Sequence, residues 1–204
     1  MRRRSGNPGG SLLIAALAAL TLSACDRGAP ETAIPEEAVI RLSDQFTSDF
    51  DLIDQHGRPV ADEDFRGRTM VVYFGFATCP DVCPLALGLL SAALDELDEN
   101  EREKIAPVFI TVDPERDTPE ALKAYLAFDE RIIGLTGDAV AARKARESFK
   151  VYASKRPLPE SALGYTMDHS SLFYVVDPQG RPRIAVHDTV NAEQLAAILR
   201  RQLS

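Results

Sequence analysis

Residues 69–77, Thr-Met-Val-Val-Tyr-Phe-Gly-Phe-Ala, form a run without a single charged side chain, and residues 106–113, Ala-Pro-Val-Phe-Ile-Thr-Val-Asp, form a second run that is apolar almost throughout. Short continuous runs rich in branched and aromatic residues predict central strands covered on both faces. Between them Leu87, Leu90, Leu94 and Leu97 recur at spacings of three, four and three, the stripe of an amphipathic helix ending near Glu99. Strand, helix and strand together define a βαβ unit, and this unit restricts the fold more than any other feature of the chain.

The flanking segments extend the unit. Thr118 followed by Pro119 is an N-cap with proline at the first helical position, and it predicts a helix over 118–128. Residues 131–135 read as a short third strand with a helix over 138–149 behind it, followed by a polar, proline-bearing segment. Residues 171–176 and 183–187 flank Asp177-Pro178-Gln179-Gly180, a turn with proline second and glycine fourth, and so predict an antiparallel hairpin. Asn191-Ala-Glu-Gln194 is a capping box for a last helix that carries Leu195, Ile198 and Leu199 inward. Near the start of the globular part, residues 50–60 read as another hairpin turning at Gly57. A βαβ half followed by a ββα half, with a cysteine pair after the first buried strand, is the order of a thioredoxin-like fold. The expected class is therefore α/β, a central mixed sheet flanked by helices, with an N-terminal hairpin.

The 204 residues suffice for one ordinary core, and 23 basic against 31 acidic residues give a net charge of -8. No Lys/Arg block lies beyond the extreme N-terminus, which excludes an electrostatic footprint for nucleic acid. That N-terminus, Met1-Arg-Arg-Arg4 before an apolar run over 11–24, reads as a secretory signal, and the run is short for a membrane span. Leu22-Ser-Ala-Cys25 resembles a bacterial lipobox, in which cleavage leaves Cys25 lipidated; simple secretion and an uncleaved anchor are the alternatives. The expected organisation is a signal peptide over 1–24, a lipid-anchored flexible tether over 25–47 and one domain over 48–204. Removal of the three signal arginines leaves 20 basic and 31 acidic residues, an acidic mature chain with a net charge of -11. Asp26 after the lipidated cysteine is similar to an inner-membrane retention signal, which places the domain on the periplasmic face.

Lipidation uses one of three cysteines and leaves Cys79 and Cys83, too close in sequence to brace a long loop. They fall in Cys79-Pro-Asp-Val-Cys83 at a strand-to-helix junction, where unpaired N–H groups and the helix dipole favour thiolates, so both thiols are expected to be acidic. If the first turn is helical, the spacing of four puts them on one face with Cβ atoms about 5–6 Å apart. A shared metal suits that separation, and a disulfide forms if the turn deforms. Both chemistries stay open at this point. Asp81 between them reads as solvated or as a docking contact.

Three segments, residues 71–84, Thr111-Val-Asp-Pro-Glu-Arg-Asp-Thr-Pro119 and Asp168-His-Ser-Ser171, together resemble the Sco/SenC family over about residues 48–203. The resemblance implies a thioredoxin-like protein that carries one copper ion through a CxxxC pair and a distant histidine toward the binuclear copper site of cytochrome c oxidase. Here those positions are Cys79, Cys83 and His169. Thiolates favour Cu(I), and the imidazole lets such a site accept Cu(II) as well. The partners implied are the copper-bearing oxidase subunit, an upstream copper donor, a periplasmic thioredoxin-like reductant that keeps the thiols reduced, and the membrane through Cys25. His56, in a glycine turn, and His187, near a strand end, lack that context. Met167 reads as packing rather than as a thioether ligand, and Asp113, Arg116 and Asp117 as residues that either orient the site or cap the next helix.

The main alternative on the same fold is a periplasmic thiol-disulfide oxidoreductase acting on, or sensing, the cysteines of the oxidase copper site. Such enzymes usually carry CxxC and a cis-proline facing it; this chain has CxxxC and offers Met167-Asp-His-Ser170 there. A peroxidase has only Thr78 in its favour. The expectation is a metallochaperone rather than an enzyme.

Overall fold

The computed structural model describes residues 33–203. The signal, Cys25 and Asp26 lie outside the described residues. Three short strands come first: β1 (Val39–Arg41), β2 (Asp51–Asp54) and β3 (Pro59–Ala61). β2 and β3 are the expected N-terminal hairpin, and its turn uses Gly57 at φ +77°, where a side chain would strain the backbone. Then follow β4 (Thr69–Gly75), α1 (Val82–Asp95), α2 (Glu99–Glu103), β5 (Ile105–Thr111), α3 (Pro119–Tyr125), β6 (Ile133–Thr136) and α4 (Ala139–Ser148). The chain closes with β7 (Ala153–Leu158), β8 (Gly164–His169), β9 (Leu172–Val176), β10 (Pro182–His187) and α5 (Ala192–Gln202).

Eight strands form one mixed sheet in the order β1-β10-β9-β4-β5-β6-β2-β3, and β7 and β8 form a separate two-stranded sheet. β4 runs parallel to β5, and β5 to β6, as crossover helices require; β9, β10, β1, β2 and β3 add antiparallel strands. Every residue of β4 and β5 is buried, so both faces of the centre are covered, which is why these runs carry no polar alternation. Phe74, Phe109, Phe149 and Phe173 fill the core with Leu87, Leu90 and Leu94 of α1. Each such side chain contributes roughly 1.5–3 kcal/mol by leaving water.

The helix starts obey the sequence. Thr118 accepts from the Ala121 N–H, Asp138 from the N–H groups of Val140 and Ala141, and Asn191 and Gln194 close a reciprocal capping box. Three boundaries differ from expectation. The leucine stripe outlasts α1, because Leu97 is buried from the turn after the helix while Asp98 and Glu101 begin α2 with a capping box of their own. The polar segment after α4 is the β7–β8 hairpin; Lys155, Arg156 and Pro157 give it no apolar alternation, so its backbone pairing left no signal in the side chains. The stretch expected to be tether through residue 47 is packed from Ile34 onward: Ala38 is buried, Ile34, Leu42 and Phe46 lie on the core, and Val39 pairs with Val186. The open edge of β10 takes that strand, and apolar residues four to eight apart were too sparse to announce it.

Candidate metal and dithiol site

Antiparallel pairing places Tyr73 of β4 opposite Phe173 of β9, so the end of β4 lies beside the start of β9. The cysteine loop leaves one end and His169 stands just before the other. Residues 86 apart in sequence are thereby brought into contact: the Sγ of Cys83 lies 3.4 Å from Nε2 of His169.

Cys79 follows a tight turn in which its N–H donates to the Phe76 carbonyl at 3.1 Å, and Cys83 sits in the first turn of α1. The condition for both to share one helical face is not met, since the helix starts at Val82 and the loop alone places Cys79. Both are free thiols, Cys83 fully buried and Cys79 8% exposed. Cys79 lies close enough to Cys83 to add to the rise of its thiol pKa. Gly75 makes room for the sulfur: a Cβ there would stand 2.9 Å from the Cys83 Sγ and 2.7 Å from Phe109 Cε2.

The expectation of two acidic thiols fails at Cys83. Burial pushes its thiol up, and the opposing hydrogen bond from the Phe76 backbone N–H does not offset the loss of water. A group whose folded pKa is raised contributes stability below its unfolded pKa and loses it as pH rises through the folded one. The copper-free, reduced chain is therefore expected to lose stability as pH climbs above the ordinary thiol value of 9.0, and Cys83→Ala to flatten that decline. Thermal melts between about pH 7 and 10 check this, and an equally steep decline in the variant would contradict it.

His169 is oriented as a ligand. Its Nδ1 lies 2.9 Å from the Ser170 carbonyl, which can only accept, so Nδ1 carries the proton and the Nε2 lone pair faces the sulfur. Phe76 and Tyr73 hold the ring edge-on at centroid distances of 5.8 and 6.2 Å. Burial holds the imidazole below its ordinary value of 6.5, which keeps it neutral at physiological pH. Beside it Tyr73 shares a 2.8 Å hydrogen bond with Ser171, whose hydroxyl donates to Asp188. Neither Tyr73 nor Asp188 was marked by the sequence; the only trace was a phenol inside an otherwise apolar strand.

Among the described residues, no three His, Cys, Asp or Glu side chains are closed into a finished metal cluster. What is preformed is the Cys83–His169 pair, with Cys79 adjoining. Two thiols and one neutral imidazole form a soft donor set that suits Cu(I) and tolerates Cu(II). A cleft of about 320 Å³ opens beside it, lined by Phe76, Cys79, Pro80, Arg156, Met167 and His169. Met167 is buried in the core cluster, in keeping with packing. Asp117 is fully buried and accepts from Thr111 Oγ at 2.6 Å and from the Ala77 N–H at 3.0 Å, so it ties the base of the cysteine loop to the end of β5. Asp81 is exposed and makes no side-chain cap. His56 is exposed in the β2–β3 turn, and His187 lies on β10 opposite Leu172; the structure joins neither to the thiols.

A dithiol and an imidazole at the strand ends of the central sheet define a protein of the thioredoxin-fold class with soft donors at that end of the sheet. The SCO1/SenC family profile matches residues 39–204. The chain belongs to the SCO1/SenC family. It is 42% identical over 133 residues to the yeast Saccharomyces cerevisiae protein SCO2, mitochondrial, covering 65% of this chain and 44% of that one. It is 39% identical over 158 residues to the human protein SCO2 homolog, mitochondrial, covering 76% of this chain and 59% of that one. The chain thus spans about half the length of these mitochondrial relatives. Bradyrhizobium japonicum ScoI, solved with copper bound, superimposes with a TM-score of 0.71 at 38% identity, over 77% of this chain and 99% of that one. Yeast Sco1 with copper bound gives a TM-score of 0.71 at 32% identity, over 78% and 88%.

Proposed function

We propose that this chain is a copper metallochaperone that carries one copper ion on Cys79, Cys83 and His169 and gives it to the binuclear copper site of cytochrome c oxidase. The observation that carries the reading is the aimed Nε2 of His169 at 3.4 Å from the Cys83 sulfur. Copper-bound relatives that share the fold support it. Two thiols and one imidazole leave copper coordinatively open, so a recipient ligand enters before the carrier lets go. Copper here is cargo. The domain works at the periplasmic face of the inner membrane, held by lipid on Cys25, loaded by an upstream copper donor and kept reduced by a thioredoxin-like protein.

A second reading, reduction of the oxidase cysteines by the same dithiol, draws on the free and adjoining Cys79 and Cys83. Mixing the copper-loaded chain with the copper-free, reduced copper-bearing domain of the oxidase separates the two. Copper appearing in the recipient, and lost with His169→Ala, is the expected result. If copper stays on the carrier, while in a parallel mixture the copper-free reduced chain is oxidised to its Cys79–Cys83 disulfide as an oxidised recipient gains two free thiols, the reductase reading replaces this one.

A further inference from the structure

His169 ends β8, and β8 belongs to a two-stranded sheet that shares no strand with the main one. A lone two-stranded hairpin is marginally stable in water, so something must hold it against the body of the domain. Arg146 holds the Ala153 carbonyl of β7 and Met167 of β8 enters the core, but the densest set of contacts converges on Tyr165, four residues before His169 on the same strand. Two cations approach its ring, the Arg116 guanidinium at 3.9 Å from the centroid and the ammonium of Lys155, from β7 of the same hairpin, at 4.6 Å. The Tyr165 hydroxyl donates to Asp113 Oδ1 at 2.8 Å, and Arg116 Nη1 donates to the Tyr165 carbonyl at 3.1 Å. Arg116 also pairs through Nε with the other oxygen of Asp113, whose side chain is fully buried, and Lys155 bonds Glu115 at 2.5 Å. The loop after β5 therefore holds the hairpin through one ring, its hydroxyl and its backbone, with Glu115 adding an ion pair to Lys155 of β7. The same guanidinium lies 6.0 Å from the centroid of Phe76, the ring against which His169 packs.

We infer that Arg116, Asp113 and Tyr165 form a clamp whose task is to set the distance of His169 from the cysteines, making Arg116 and Tyr165 positioning residues for the third ligand. The inference rests on the proposed copper site. It gives that site a detachable arm: with the clamp closed the imidazole completes the donor set, and with it open the copper is left on the two sulfurs. No part of the clamp touches a proposed ligand directly, so its loss withdraws the nitrogen and spares the dithiol. Lying over the Tyr165 ring while Nε pairs with a buried carboxylate and Nη1 reaches a backbone carbonyl needs a guanidinium; Lys keeps the charge but has a single nitrogen for both partners.

The test uses the full chain carrying Cys25→Ser, loaded with Cu(II) and examined by electron paramagnetic resonance, in the parent, Arg116→Ala, Arg116→Lys, Tyr165→Phe, His169→Ala and the Arg116→Ala/His169→Ala pair. The expected result is that Arg116→Ala removes the nitrogen splitting and weakens Cu(II) binding by ~10–100-fold, the range for residues that orient a ligating histidine. It should keep one Cu(I) per chain. Arg116→Lys should weaken it less, and Tyr165→Phe, which deletes one hydrogen bond only, should be intermediate and remains informative if Arg116→Ala does not fold. The double variant should bind Cu(II) no worse than His169→Ala alone, because both remove the same ligand. Retained nitrogen splitting in Arg116→Ala, Cu(II) binding in Tyr165→Phe unchanged from the parent, or additive losses in the double variant, would overturn the clamp. Absence of nitrogen splitting in the parent would instead overturn the ligand set on which it rests.

Discussion

Cys83→Ser should lower Cu(I) affinity by more than about 100-fold, beyond the 10–100-fold typical of losing a partner that merely orients a ligand. Three features concentrate the effect at this sulfur. It is the donor already in contact with Nε2 of His169, it is fully buried, and it adjoins the second thiol. A serine hydroxyl is a hard donor that Cu(I) binds poorly. Competition against a Cu(I) chelator under anaerobic conditions reads the change directly. A loss smaller than tenfold would mean that copper is held elsewhere.

Gly75→Ala should destabilise the domain by about 1–3 kcal/mol, the usual range for overpacking a filled core, and should also weaken copper binding. The added methyl would meet Phe109 Cε2 at 2.7 Å and the Cys83 Sγ at 2.9 Å, both closer than carbon tolerates. Neither neighbour yields easily, because Phe109 is fully buried on β5 and Cys83 lies in the first turn of α1. Relief must shift both the ring and the sulfur, and a shift of the sulfur alters its distance to His169. Denaturant unfolding and the chelator titration, run on the same variant, should therefore move together. Unchanged stability with unchanged affinity would show that the space beside the sulfur is looser than the packing implies.

How much of this was legible in the residues depends on where the information resides. The central strands were readable because burial on both faces removes polar residues outright, as in β4 and β5. The helix starts were readable because Thr118, Asp138 and Asn191 act on backbone groups within three residues. The β7–β8 hairpin was not, since its order comes from backbone pairing and from Tyr165 held by Arg116 and Lys155, contacts that span many residues and leave no period. At the site, the spacing of Cys79 and Cys83 announced metal or redox chemistry, and the family resemblance supplied His169. Arg116, Asp113 and Asp117 were marked as residues that orient the site or cap the next helix. The acidity of Cys83 was misjudged because local position at a helix start favours a thiolate, whereas the fold buries this sulfur beneath Phe109 and Gly75, and desolvation outweighs the dipole.

The central claim is that one copper is held by two sulfurs and one imidazole nitrogen. X-ray absorption at the copper edge, on the full chain carrying Cys25→Ser and loaded anaerobically with one equivalent of Cu(I), tests it most directly. The account requires two sulfur scatterers and one nitrogen in the parent, with the nitrogen gone in His169→Ala and a sulfur gone in Cys79→Ser. Copper bound by sulfur alone in the parent, or a shell unchanged by either substitution, would contradict it.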